Sequence, residues 1–215
     1  MRSRFDDQLD LLNKRMIEMS AQCEEMIAKA SHALLTGDTD LSGQVISNKD
    51  GIDQSEREIE GLCVKLLLQQ QPVAGDLRQI SAVLKMVTDI ERIGDLAEDI
   101  AEIIPFLKGQ DLSNCELIRK MAQATIQMVN QSIDAFVKKD VKLAENVIAQ
   151  DDIVDELFLE MKELLIGMIA ENSQQGEFAL DLLMISKYFE RIGDHAVNIA
   201  EWVIYSVTGK RKGKI

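Results

Sequence analysis

Apolar residues recur at three- and four-residue spacings along almost the whole chain. Phe5, Leu9, Leu12, Met16, Met19, Cys23, Met26, Ala30 and Ala33 form the first such stripe, which stops at Thr36-Gly37-Asp38. This spacing places successive side chains on one face of a helix of about 3.6 residues per turn. A Gly-Asp step ends one helix and opens the next. A second stripe runs through Leu41, Val45, Ile52, Ile59, Leu62 and Leu66 and stops at Gln71-Pro72-Val73-Ala74-Gly75. A third starts near Asp76, runs through Ile80, Leu84, Val87, Ile90, Ile93, Ala97 and Ile100, and loosens at Pro105 and Gly109. Three more helices are predicted over 113–137, 141–171 and 177–207, with breaks at Lys138-Lys139-Asp140 and over 172–176. Helices of about 26 to 33 residues are about 40 to 50 Å long. Joined by short loops, they pack as antiparallel bundles.

The pattern also repeats on a larger scale. Glu91-Arg92-Ile93-Gly94-Asp95 returns 99 residues on as Glu190-Arg191-Ile192-Gly193-Asp194, and Ile100-Ala101-Glu102 returns as Ile199-Ala200-Glu201. Upstream, Asp38, Leu41, Val45, Ile46, Asp50 and Asp53 return 102 residues on as Asp140, Leu143, Val147, Ile148, Asp152 and Asp155. A net indel near Pro72 to Gly75 accounts for the change of offset. Self-similarity of this kind marks a duplicated structural unit. The predicted fold is therefore all-α, two tandem antiparallel three-helix bundles, with the first repeat over 1–109 and the second, carrying a short basic tail, over 110–215.

Composition strengthens that picture. The 215 residues include only 2 prolines and 4% aromatics, against 46% apolar residues. Strands draw on β-branched and aromatic residues, and multi-strand folds need turn punctuation. The acidic excess, 37 against 24 basic residues for a net charge of -13, repels phosphate backbones and argues against nucleic-acid binding. Lys210, Arg211, Lys212 and Lys214 form the only basic run, read as a solvated terminus or a weak anchor to anionic lipid or a partner. Cys23, Cys63 and Cys115 are widely spaced and odd in number, the usage of buried thiols in a reducing compartment. Asp6, Asp7, Asp10 and Glu18 do not suit a secretory signal, and no apolar run approaches membrane-spanning length. A cytoplasmic protein is expected.

Candidate chemistry concentrates on the third helix of each repeat. At about 100° per residue, Glu91, Asp95, Glu98, Asp99 and Glu102 share one arc, opposite Ile93, Leu96, Ala97, Ile100 and Ile104. The stripe is therefore expected to face away from the core. Glu190, Asp194, Asn198 and Glu201 take the equivalent arc. Like charges at i, i+4 destabilise a helix, yet both copies keep the pattern. A solvated face is one reading. The other is a site for a divalent or ferric cation such as Fe, Zn, Mn or Mg, because hard oxygen ligands on one face suit such ions. Asp50 and Asp53, with Asp152 and Asp155, would support it from the second helix. Gly94 and Gly193 fit either close helix packing or a clear approach for ligands. Arg92 and Arg191 are surface ion-pair donors or contacts for an acidic partner. His32 and His195 lack the Glu-x-x-His pairing of di-iron bundles. The chain has no phosphate-binding glycine loop, dinucleotide fingerprint or nucleophile elbow, so an enzyme is not expected. A metal-dependent enzyme acting on phosphate esters and a purely structural scaffold are two readings of such a chain.

The doubled Glu-Arg-Ile-Gly-Asp motif resembles the PhoU family of phosphate-uptake regulators, as do Pro72-Val73-Ala74-Gly75-Asp76-Leu77-Arg78 and the run from Glu190 to Glu201. The resemblance spans essentially the entire chain. It implies an often dimeric adaptor of two three-helix bundles that dampens phosphate import and starvation signalling. Its implied partners are the phosphate ABC transporter, through the ATPase subunit, and a phosphate-sensing histidine kinase, with membrane association only peripheral and through them. It also implies metal clusters at Glu91 with Asp95 and at Glu190 with Asp194. Asp99 stands where the second copy has Asn198, and Asp89 where it has Tyr188. On that basis the first site is expected to be the better one for highly charged ions.

Overall fold

Each predicted stripe becomes a helix. The computed structural model describes residues 2–70, 72–107, 110, 112–113 and 115–210. Its long helices are α1 (Arg2–Thr36), α2 (Thr39–Gln70), α3 (Ala74–Ile103), α4 (Glu116–Lys138), α5 (Val141–Glu171) and α6 (Gly176–Thr208). Single 3-10 turns follow α3 at Ile104–Leu107 and precede α6 at Ser173–Gln175. No strand occurs among the described residues. The boundary at 109 and the tail residues Arg211, Lys212 and Lys214 lie outside the described residues.

The duplication is visible in how the helices stop. Gly37 and its counterpart Lys139 both take the left-handed conformation, with φ of 69° and 52°. The aspartate after each then caps the next helix. Asp38 accepts the Leu41 N–H at 2.9 Å, and Asp140 accepts those of Lys142 and Leu143 at 3.0 and 3.1 Å. These carboxylates satisfy amide groups that a helix start leaves without partners. The α5–α6 corner uses Asn172, whose side chain accepts the Gln174 N–H at 3.1 Å.

The helices α1 to α3 and α4 to α6 form two three-helix units, and α3 packs along α6 as the most extensive helix pair in the molecule. Helix α1 also meets α4, so the two units share one apolar core. Ile80, Val83, Met86, Ile90, Ile93, Ala97 and Ile100 of α3 are all buried, as are their counterparts Ala179, Leu182, Ile185, Phe189, Ile192, Ala196 and Ile199 of α6. A helix enclosed by three neighbours buries a wide arc rather than a narrow stripe. Only a limited sector of α3 and α6 is left for charge. Cys23 and Cys63 are buried as expected, whereas Cys115 is partly exposed because it lies just before α4.

Candidate functional site

The acidic stripe of α3 faces open solvent only in part: Glu102 is exposed, whereas Glu91, Asp95, Glu98 and Asp99 are half-buried. Its upper part is roofed by α2 through Lys49, whose side chain is only 9% exposed. The Lys49 ammonium reaches Asp95 at 2.7 Å and Glu91 at 3.2 Å, and it also pairs with Asp53 one turn along α2. An ammonium has three N–H donors, and three carboxylates take them. Glu91 is 15% exposed, so it is a seam residue rather than a surface one. Arg92 stays outside, its guanidinium 2.8 Å from Asp95 and 3.5 Å from Glu91. Burial would raise the Asp95 carboxyl, but the hydrogen bond and charge of Lys49, helped by Arg92, hold it below the ordinary aspartate range. Burial likewise opposes the charge on Lys49, and the bonds to Asp53, Asp95 and Glu91 more than reverse that effect.

The equivalent seam between α5 and α6 is built differently. Lys49 maps, 102 residues on, to Asp151. The position that supplies a cation in the first repeat therefore supplies a fourth carboxylate in the second, beside Asp155, Glu190 and Asp194. Burial, followed by the charges of Asp155, Asp194, Glu190 and Asp152, pushes the Asp151 carboxyl up to about 6. Glu190 is 13% exposed, with one oxygen held from the solvent side by Lys187 at 2.5 Å. Its other oxygen is buried without a hydrogen-bond partner. Asp155 and Asp194 are exposed. Among the described residues, no group of three or more carboxylate, thiol or imidazole side chains stands in an arrangement that would hold a metal ion as it is.

The two motif glycines separate along the same line. A Cβ on Gly94 would meet Ile52 Cγ2 at 3.2 Å, so Gly94 lets α2 and α3 pack closely. A Cβ on Gly193 would instead meet Asp151 Oδ1 at 3.2 Å, so Gly193 gives that carboxylate its place.

The remaining candidate residues disperse. Asp50 and Asp152 are exposed; the residues that face α3 and α6 are Lys49 with Asp53 and Asp151 with Asp155. A helix drifts by about 40° over four residues, and that drift carries positions 99 and 198 from the α2 or α5 side toward the α3–α6 seam. Asn198 accordingly donates to Asp89 at 3.2 Å, and Asp89 Oδ1 lies 2.9 Å from His195 Nδ1. Asp99 is raised by burial and by Glu102 and Asp95, and Arg191 opposes this from α6. Asp89 thus ties the two repeats together rather than enriching the first acidic site. The expected ranking of the two sites rested on Asp89 and Asp99; Asp89 is turned to α6 instead, and the first site also holds Lys49. Neither Lys49 nor Asp151 was singled out from sequence, although the 102-residue offset aligns them.

A duplicated three-helix unit with an acidic seam between its second and third helices defines the class of tandem helical-repeat proteins to which this fold belongs. Two stretches, residues 16–104 and 118–203, each match the PhoU domain, and the chain belongs to the PhoU family. It is 34% identical over 209 residues to a protein of Clostridium acetobutylicum described as a phosphate-specific transport system accessory protein PhoU homolog, covering 96% of this chain and 95% of that one. A second protein of that description, from Thermotoga maritima, is 34% identical over 208 residues, covering 96% and 90%. The crystal structure of PhoU from Pseudomonas aeruginosa superposes with a TM-score of 0.91 at 34% identity, covering 96% of this chain and all, 100%, of that one. The phosphate transport system regulatory protein PhoU from Streptococcus pneumoniae superposes with a TM-score of 0.91 at 25% identity, covering 97% and 99%.

Proposed function

We propose that this protein is an accessory regulator of phosphate transport, acting by contact with other proteins rather than by turnover. The observation that carries this reading is the match of both repeats, over nearly the full chain, to relatives described as accessory proteins of the phosphate-specific transport system. The protein holds down phosphate uptake and starvation signalling from the cytoplasm. Its partners are the ATPase subunit of the phosphate ABC transporter and a phosphate-sensing histidine kinase, and it associates with itself as a homodimer. Membrane association runs through those partners; among the described residues no helix is long and apolar enough to cross a membrane. A net charge of -13 favours basic partner surfaces. Arg92 is largely engaged by its own neighbours Glu91 and Asp95, which leaves the exposed Arg191 as the better candidate for a partner contact.

A divalent or ferric ion belongs to this reading at the second repeat. Two features support it: Glu190 has a buried oxygen with no partner, and Asp151 sits beside it in a net-negative seam. Mutual repulsion spreads such carboxylates in the absence of a cation, and the exposed Asp155 and Asp194 can turn inward to complete the set. The ion would neutralise the seam and fix α5 against α6. The function is tested with a starvation-gene reporter in high phosphate, in a deletion strain complemented by wild type or by Asp194→Ala. The deletion should switch the reporter on, wild type should silence it, and Asp194→Ala should silence it only in part. A reporter that stays silent in the deletion strain rejects the regulatory role.

A further inference from the structure

The two copies of the acidic motif look equivalent in sequence and are not equivalent in space. In the first, three carboxylates from two helices converge on one buried ammonium, with Asp95 at 2.7 Å, Glu91 at 3.2 Å and Asp53 completing the set. Each of the three N–H donors of Lys49 has an acceptor, and the side chain that delivers them is almost wholly enclosed. A metal ion at Glu91 and Asp95 would have to displace Lys49, which holds one oxygen of each, and Arg92, which lies against the others, and would stand beside their positive charges. The residues of the first repeat therefore do not fit a metal, although the motif there is complete. In the second repeat the same backbone position bears Asp151, and the seam changes by two units of charge toward the negative.

We propose that Lys49 is a built-in cation: its ammonium takes the place of a metal ion in the first repeat, so that metal loading is confined to the second. This inference rests on the metal reading of the second repeat for its contrast, but its claim about Lys49 is separable. The consequence is a protein whose first seam permanently carries its own counter-charge, while the second responds to the metal supply. One half would then be constitutive and the other conditional.

The test uses the full-length protein, stripped with chelator and titrated with Mn²⁺ by calorimetry, with circular dichroism melts of every variant as the control for folding. Wild type should bind one ion per chain. Asp95→Asn should leave that binding unchanged within about twofold, whereas Asp151→Asn should weaken it by at least about tenfold. Lys49→Asp should bind a second ion, and Asp95→Asn in that background should remove it. Lys49→Asn, which keeps a polar group without the charge, should give a Mn²⁺-dependent rise in melting temperature larger than that of wild type, an excess that Asp95→Asn abolishes, and it serves if Lys49→Asp does not fold. Two ions per wild-type chain, or loss of binding in Asp95→Asn alone, would overturn the proposal. If wild type binds none, the metal reading of the second repeat fails. Lys49 is then judged by its own variants: acquired binding in Lys49→Asp or Lys49→Asn upholds its role, and no binding in either overturns it.

Discussion

Replacing Lys49 by methionine keeps the length of the side chain and removes its charge. The change leaves Asp53, Glu91 and Asp95 facing one another across the α2–α3 seam without their shared donor. Breaking a buried ion pair by removing one partner typically costs about 3–5 kcal/mol, because the other charge stays behind uncompensated. Here Asp53 and Asp95 retain partial access to water and Arg92 still pairs with Asp95, so solvent and the guanidinium absorb part of the loss. The expected cost is about 2–3 kcal/mol. In a chain of this size that corresponds to a fall in melting temperature of about 4–12 °C. Urea denaturation in chelator at pH 7 measures it, with the slope against denaturant unchanged if the denatured state is unaffected. Adding Asp95→Asn to Lys49→Met should recover part of the loss, since it removes one of the repelling charges. The pH dependence has a definite sign. Asp95 is held below its ordinary value of 3.8, so its contribution is present above that pH and is lost as pH falls through the lower folded value. The gap between wild type and variant should therefore persist at pH 5. A Lys49→Met protein within about 0.5 kcal/mol of wild type at pH 7, the range of an ordinary surface substitution, would refute the reasoning.

Three further outcomes follow from other parts of the molecule. Lys139 occupies the left-handed C-terminal position that its counterpart Gly37 fills without strain, so Lys139→Gly should stabilise the fold by about 1 kcal/mol in a urea melt. Burial pushes the Cys63 thiol up to about 12 and raises Cys23 further, and Cys23 also donates to the Ile90 carbonyl at 3.3 Å; a thiol reagent should label Cys115 quickly and the other two only on unfolding. Burial and neighbouring acids raise Asp151 to about 6, so the folded state binds its proton more tightly than the unfolded chain and loses stability as pH rises from about 4 to about 6. In chelator, Asp151→Asn should thus match wild type near pH 4 and exceed it at pH 7 by about 1 kcal/mol after allowing for solvent screening.

The helices, their stops and the duplication were legible because each depends on local rules: periodicity of about 3.6, a Gly or Lys in the left-handed position, and an aspartate cap after it. Helix ends moved by a few residues, as at Glu116, where α4 starts later than the stripe alone implied. The candidate site was legible as a motif but not as a geometry. Glu91, Asp95, Glu190 and Asp194 do line the seams, yet the α3 stripe was expected on an outer face because helical projection cannot show that α2 lies over Glu91 and Asp95. For the same reason Asp89 and Asn198 could not be assigned to the contact between repeats, which pairs residues more than a hundred positions apart. Lys49 escaped notice because a lone lysine between apolar positions ordinarily reads as a solvated side chain. The repeat itself held the signal, since aligning the two copies sets Lys49 against Asp151, a reversal of charge at a position that faces the motif in both.

The unequal chemistry of the two seams is tested most directly by a crystal of the wild-type protein equilibrated with Mn²⁺ and recorded at the manganese absorption edge. The account predicts an anomalous peak within coordinating distance of Asp151, Glu190 and Asp194, and none beside Glu91 and Asp95, where Lys49 remains in place. A peak of comparable height between Glu91 and Asp95, with the Lys49 ammonium displaced, would contradict it.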